Sequence, residues 1–318
     1  MTLDDLFASP DHYLHSFEGD AALFVPMDRA AYHRSIFLDH RIAPAREGAM
    51  RLPFATLAGR RGKALATGWI LHVAHCGSTL LARALDDLAT NLVLREPLAL
   101  RQLALAPDAA ALAITLDMLG KRYADDLPTI VKANVPVNFA LPHIAAHDPN
   151  ARAIMLHLSL PDYVGAILRT DRHRAWLRRV TEQLAPHLGD LSTLGDAERV
   201  AALWLAQTRA FANALAAMPH ARVLDAERFF AAPAATLAAA AAHLGVPRDG
   251  MAISEIVAGP LFATYSKDPS QPFDNAARLA ARAEAGATLA EEMARATAWV
   301  AARGDAGATA ALAARPLA

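Results

Sequence analysis

The chain carries a single cysteine, Cys76, among 318 residues. One thiol excludes an intramolecular disulfide framework and any cysteine-rich zinc site. An excess of one charge is also missing: 31 Lys and Arg against 32 Asp and Glu leave a formal net charge of -1. No global field then draws the protein to nucleic acid or to an anionic membrane, so neither is an expected partner. Any anion must be captured by a local arrangement. Long apolar runs are absent too. The opening Met1-Thr2-Leu3-Asp4-Asp5-Leu6 is acidic, unlike a secretory signal or transit peptide. The alanine tract Ala231–Ala242 is interrupted by Pro233 and followed by His243 and Gly245, and is too short for a bilayer. A cytoplasmic protein without a membrane segment is expected.

What is present is globular: 54% hydrophobic and 20% charged residues, on a chain long enough to bury a large core. Residues 1–65 read as short helical pieces among Gly, Pro and Arg, an N-terminal addition packed on the core, in which Asp28 caps a helix running through Tyr32 and Phe37. From Gly68 the pattern becomes α/β. Strands are expected at Trp69–Val73, Leu92–Leu94, Thr129–Lys132, Ile154–Leu158 and Val223–Leu224. Helices are expected at Pro97–Tyr123, Asn138–His147, Asp162–Leu184 and Ala197–Met218. This alternation implies a three-layer α/β/α fold on a mainly parallel sheet, over residues 66–270. Residues 271–318 read as a helical extension, with one long helix from Asn275 to Arg303, and no strand is expected after Pro247.

His72-Val73-Ala74-His75-Cys76-Gly77-Ser78-Thr79 stands where the first of these strands hands over to a helix, Thr79–Leu88, with Leu80, Leu81, Ala84, Leu85 and Leu88 at helical spacing. At such a turn backbone N–H groups and the helix dipole converge, which suits an anion. Gly77 lets the backbone approach a ligand, and the Ser78 and Thr79 hydroxyls can donate to it. A simple helix cap explains Gly-Ser-Thr equally well. Against G-x-x-x-x-G-K-[ST], His72 replaces the first glycine and Ser78 the lysine, which turns the loop away from ATP.

Ala74-His75-Cys76-Gly77-Ser78-Thr79-Leu80-Leu81 resembles the sulfotransferase loop P-[KR]-S-G-[TS]-[TS]-L, a P-loop variant that holds the 5′-phosphosulfate of PAPS (3′-phosphoadenylyl sulfate). A later stretch is similar to the family's closing strand and helix: Val223-Leu224-Asp225-Ala226-Glu227-Arg228-Phe229, then Ala232-Pro233, then His243-Leu244-Gly245-Val246. The resemblance covers roughly residues 68–270. It implies PAPS as donor, no obligatory metal, and a cofactor site at His75, Cys76, Gly77, Ser78, Thr79 and Leu80. In the family, an arginine and a serine of R-D-P-R-D-x-x-x-S hold the 3′-phosphate. Here those positions are Leu158 and Ala166, with Asp162 retained. Arg169 and Lys267 are the candidate replacements. Arg172 and Arg174 are candidates alongside them, though a solvated helix face is the favoured account of the 169–174 run.

The resemblance further implies a small-molecule acceptor bearing a hydroxyl or amine, with Glu96 as general base, Lys132 stabilising the sulfuryl oxygens and His75 donating to the bridging oxygen. An ion pair with Arg95 or Arg101 is the competing account of Glu96. Asn134 stands where other members carry a histidine. His72 and His75 lack a carboxylate or thiolate framework, so no metal site is expected. Cys76 beside a helix start is either an acidified thiol or a small loop residue standing for serine. Two other functions stay open: a P-loop kinase or nucleotide-binding protein, and a non-catalytic descendant that kept the fold.

Overall fold

The computed structural model describes residues 2–63, 65–246, 248–304 and 306–317. The N-terminal region holds the expected short helices, Leu3–Ala8, Arg29–Arg34 and Phe54–Leu57, but also an unexpected antiparallel sheet, β1 (His12–Glu18), β2 (Ala21–Pro26) and β3 (Met50–Pro53), in the order β1-β2-β3. Glu18 pairs with Ala21, so Gly19-Asp20 is a two-residue hairpin turn, with Gly19 at φ 62. Gly-Asp between two apolar runs is a hairpin signal, and here it outweighs the helical spacing. Asp28 does cap a helix, Arg29–Arg34, by accepting from Ala31 N. This sheet buries Leu14, Ala22 and Phe24 against Ala99, Ile114 and Met118 of the following region.

The centre of the molecule is a five-stranded, wholly parallel sheet: β4 (Thr67–His72), β5 (Val93–Arg95), β6 (Thr129–Lys132), β7 (Ala153–His157) and β8 (Ala221–Asp225). Its order is β5-β6-β4-β7-β8. Helices cover both faces, giving the three-layer α/β/α arrangement. Each strand is a short apolar run, as burial on two faces requires: Ile70, Leu71, Ile130, Val131, Ile154 and Met155 are inaccessible to solvent. The register aligns Ile70 and Arg95 with Lys132, and His72 with Leu156. The carboxyl ends of β4, β5, β6 and β7 therefore open onto one edge. Open α/β sheets bind ligands at that edge.

Three expected long helices are each divided. Residues 97–123 hold Leu98–Leu105 and Ala109–Leu119; residues 160–184 hold Leu160–Leu168 and Asp171–Gln183; residues 275–303 hold Asn275–Thr288 and Ala290–Ala301. Asp108 and Thr170 cap the second helix of the first two pairs. The last break, at Leu289, comes three residues after Gly286, and Leu289 is buried in the core. After Pro247 a short hairpin also forms, β9 (Thr264–Tyr265) with β10 (Asp268–Pro272). The chain ends by laying Pro316 alongside Val223, which covers the exposed edge of β8. Among the described residues no helix is long and apolar enough to cross a membrane.

Candidate functional site

The loop after β4 enters the helix Ser78–Ala84 through two residues in the left-handed region, His75 at φ 60 and Gly77 at φ 79. Gly77 is required twice over, by its φ and because a Cβ there would lie 2.7 Å from Cζ of Phe230. Among the described residues, the other non-glycine residue with this backbone is Glu96, at φ 56. A side chain held there costs about 1–3 kcal/mol, and such strain concentrates at ligand sites. The loop is tied down from below. Val73 N donates to Leu156 O at 3.1 Å, Asn138 Nδ2 to His72 O at 3.0 Å, and the Cys76 thiol to Val73 O at 2.9 Å. Burial pushes the Cys76 thiol up to about 11, so it is a structural donor and not an acidified nucleophile. The helix has only seven residues, so its dipole adds little. Thr79 contributes more: its Oγ1 is buried without a hydrogen-bond partner, on the wall of a cavity.

That cavity holds about 600 Å³. His75, Cys76, Gly77, Ser78, Thr79 and Leu80 form one end, and Arg169 and Lys267 stand at the same opening. Six loop residues and two distant cations singled out in the sequence are thus brought to one place. Arg169 and Lys267, both exposed, form no ion pair with any described carboxylate; Arg172, also exposed, lies outside the cavity lining, and Arg174 is taken up by Asp196 and Glu292. Leu158, Asp162 and Ala166 line a further wall, and Glu227 and Phe230 close another.

Glu96 and Lys132 do not line this cavity. They are bonded to each other, Lys132 Nζ donating to Glu96 Oε1, with the lysine side chain wholly buried and the carboxylate 18% exposed. The ion pair expected for Glu96 with Arg95 or Arg101 is not formed. Arg95 is buried and satisfied by Asp86 and by the carbonyls of Tyr32, His33 and Ser35, and Arg101 bonds Gln183. Parallel pairing of β5 and β6 sets the Glu96–Lys132 contact, since Glu96 N donates to Lys132 O at 2.7 Å. Burial would raise the Glu96 carboxyl, but Lys132, with His72 and Lys267, outweighs it and holds the group below its ordinary value. Burial lowers the Lys132 ammonium, Glu96 opposes this, and Lys267 adds to it. Lys267 therefore acts electrostatically on both members of the pair and on the loop.

His75 is not a cationic donor. Burial, with Lys267, His173 and Arg169 nearby, lowers it to about 2, and its ring lies 3.9 Å from that of His173. His72 is turned away between Val73 O and Ala133 O, so the two histidines do not converge.

The sequence reading missed the far wall. Arg278 and Arg282 of helix 275–288 enter the cavity lining, and Phe230 packs over Gly77 with the Arg278 guanidinium 4.1 Å from its ring centroid. Two arginines four residues apart on one helix were the available signal, and assignment of residues 271–318 as a helical extension outside the site hid it. Glu227, matched only as part of a structural segment, is likewise a cavity wall.

Comparison with known proteins returned no matching family model and no matching curated protein. A sulfotransferase from Alicyclobacillus acidocaldarius, known from its crystal structure, is similar in fold. The two share 15% identity over 74% of this chain and 95% of that one, at a TM-score of 0.42.

Proposed function

We propose that the chain transfers a sulfuryl group from a phosphosulfate donor, PAPS in the resembling family, to a hydroxyl or amine of a small molecule. One observation carries the reading. A strained loop with an unpartnered Thr79 hydroxyl and two unpaired cations, Arg169 and Lys267, meet at one end of a nucleotide-sized cavity. A donor bound there supplies the activated sulfur. The Ser78 and Thr79 hydroxyls and the loop backbone hold its anionic end, and Lys267 offsets charge on the transferring group. Glu96 lies outside this cavity but within the electrostatic reach of Lys267, and takes the acceptor proton where the acceptor binds between the two. Its depressed pKa makes it a weak base, adequate where the transition state is loose and proton loss is late. Lys132 keeps Glu96 ionised and aimed; it is a positioning residue, and Lys267 takes the charge role assigned to it from sequence.

Calorimetry without magnesium, using 5′-AMP and 3′,5′-ADP as product-side ligands and ADP with and without magnesium as the contrast, tests this reading. Metal-free binding of either product ligand, weakened about tenfold or more by Lys267→Ala, is expected. Binding of ADP that requires magnesium, with none of the others, would reassign the site to phosphoryl transfer. Failure of all three to bind would leave a non-catalytic scaffold.

A further inference from the structure

Helix Asp171–Gln183 and the short helix Ala185–Leu188 pass over the carboxyl edge of the parallel sheet, and their contacts fix the crossing. The Trp176 ring meets His75, in the loop after β4, edge-on with centroids 5.9 Å apart. His187 stacks on Phe139, in the segment after β6, at 4.7 Å. Gln183 Oε1 accepts from Arg101 Nη2 at 3.2 Å, on the helix Leu98–Leu105 that follows Glu96-Pro97. Helix 171–183 thus runs from the loop proposed to hold the donor to the segment that carries Glu96. At 3.6 residues per turn, Arg172, Trp176, Arg179 and Gln183 fall within about 60° of one another, as one stripe, while Leu177, Val180 and Thr181 form the buried face. Trp176 and Gln183 make the contacts with His75 and Arg101, so the two arginines of the stripe are turned toward the same crossing. Both are exposed and neither pairs with a described carboxylate, whereas Arg174 and Arg178, off the stripe, are spent on Asp196 and Glu292. The helix's own carboxylates, Asp171 and Glu182, lie about a quarter-turn or more away from the stripe.

We infer that the acceptor carries a carboxylate of its own, held by Arg172 and Arg179, with a flat apolar body against Trp176 and its hydroxyl or amine directed toward Glu96. The inference rests on the proposed sulfuryl-transfer reading and names its acceptor class, a small aromatic acid. The arginines lie about 6 and 4.5 Å along the helix axis on either side of Trp176, within reach of one carboxylate lying over that ring. A guanidinium matches a carboxylate in two parallel hydrogen bonds, which an ammonium cannot reproduce. The local field agrees: Lys132, Lys267, Arg169, Arg172 and Arg179 outnumber Glu96 around this opening, which favours an anion and repels a cation. A solvated face would account for two exposed arginines by themselves; their alignment with the residues that touch His75 and Arg101 sets them beside the site.

The test is calorimetry at fixed ionic strength with para-hydroxybenzoate, para-hydroxyphenylacetate and para-hydroxycinnamate, each beside its uncharged amide, on the full chain and on the double variant Arg172→Gln, Arg179→Gln. At least one acid is expected to bind about tenfold or more tightly than its amide. That preference should fall to within about twofold in the double variant, whose melting temperature stays with the parent's because both side chains are exposed and unpaired. Equal binding of acids and amides, no binding of any acid, or a preference that survives loss of both arginines would overturn the inference. So would a preference lost in Lys267→Ala but kept in the double variant, which would move the acid into the donor cavity. None of these results touches nucleotide binding, so the sulfuryl-transfer reading fails or stands separately. Acid binding that depends on the two arginines, in a chain that binds no nucleotide, would keep the acid site and sink that reading.

Discussion

Replacing Lys132 with methionine keeps the volume of a fully buried side chain and removes the charge that faces Glu96. Breaking a buried pair from one side costs about 3–5 kcal/mol, because the other charge is stranded. Glu96 retains 18% exposure and one further positive neighbour, Lys267, so the lower end, about 3 kcal/mol, is expected for Lys132→Met. Glu96→Gln strands an ammonium with no exposure at all, and about 4 kcal/mol is expected. The double variant strands neither charge. It should lose only about 2–3 kcal/mol, which leaves a coupling energy of about 4 kcal/mol between the two sites. Urea unfolding of the four proteins, with unchanged m values, reads this directly. If the two single effects add to within about 0.5 kcal/mol, the residues do not share a charge pair and the account of Glu96 as a carboxylate positioned by Lys132 is wrong.

Gly77→Ala places a methyl group in left-handed backbone and against the Phe230 ring, so a destabilisation of about 2–4 kcal/mol and loss of nucleotide binding are expected. Calorimetric melting with and without 5′-AMP measures both, and a variant that melts and binds like the parent would sink the loop assignment. Lys121 is buried with its ammonium on Leu6 O at 3.1 Å and His12 O at 2.5 Å, and burial, only partly opposed by Asp11, pushes it down to about 7. Between pH 7 and about 10 the unfolded chain holds a proton that the folded chain has lost, so stability rises with pH in that window, by up to about 1.4 kcal/mol per unit. Below pH 7 both states are protonated and the contribution is flat. Subtracting urea midpoints of Lys121→Met from those of the parent across pH 7–10 isolates this slope; equal slopes in both proteins would contradict it.

Much of the layout could be read from local pattern. Short apolar runs of strand length between turn residues mark buried strands, and Thr129–Lys132 has the bounds its pattern predicts. The strand-loop-helix around Gly77 was legible because an apolar strand run passes through a glycine into residues at helical spacing. Where local signals were short or mixed, the reading failed. The Gly19-Asp20 hairpin was hidden among helix-compatible neighbours. The helices on either side of the Leu289 break both pack on Gly165, with Ala285 and Met293 3.6 and 3.4 Å from where a Cβ would stand there, a contact that no local pattern announces.

The sequence by itself determined the residue types at the site: a loop that needs Gly77, hydroxyls at Ser78 and Thr79, a lysine ending β6 and a glutamate after β5. Their chemistry depended on contacts between segments distant in the chain, and only the tertiary structure decided those. Strand register turned Glu96 and Lys132 from two separate agents into one ion pair. Burial made His75 neutral, and the packing of helix 275–288 spent two arginines on Asp162 and Glu227 while leaving Arg169 and Lys267 unpaired. A charge is visible in a sequence, but whether it is available to a ligand depends on which opposite charge the fold sets beside it.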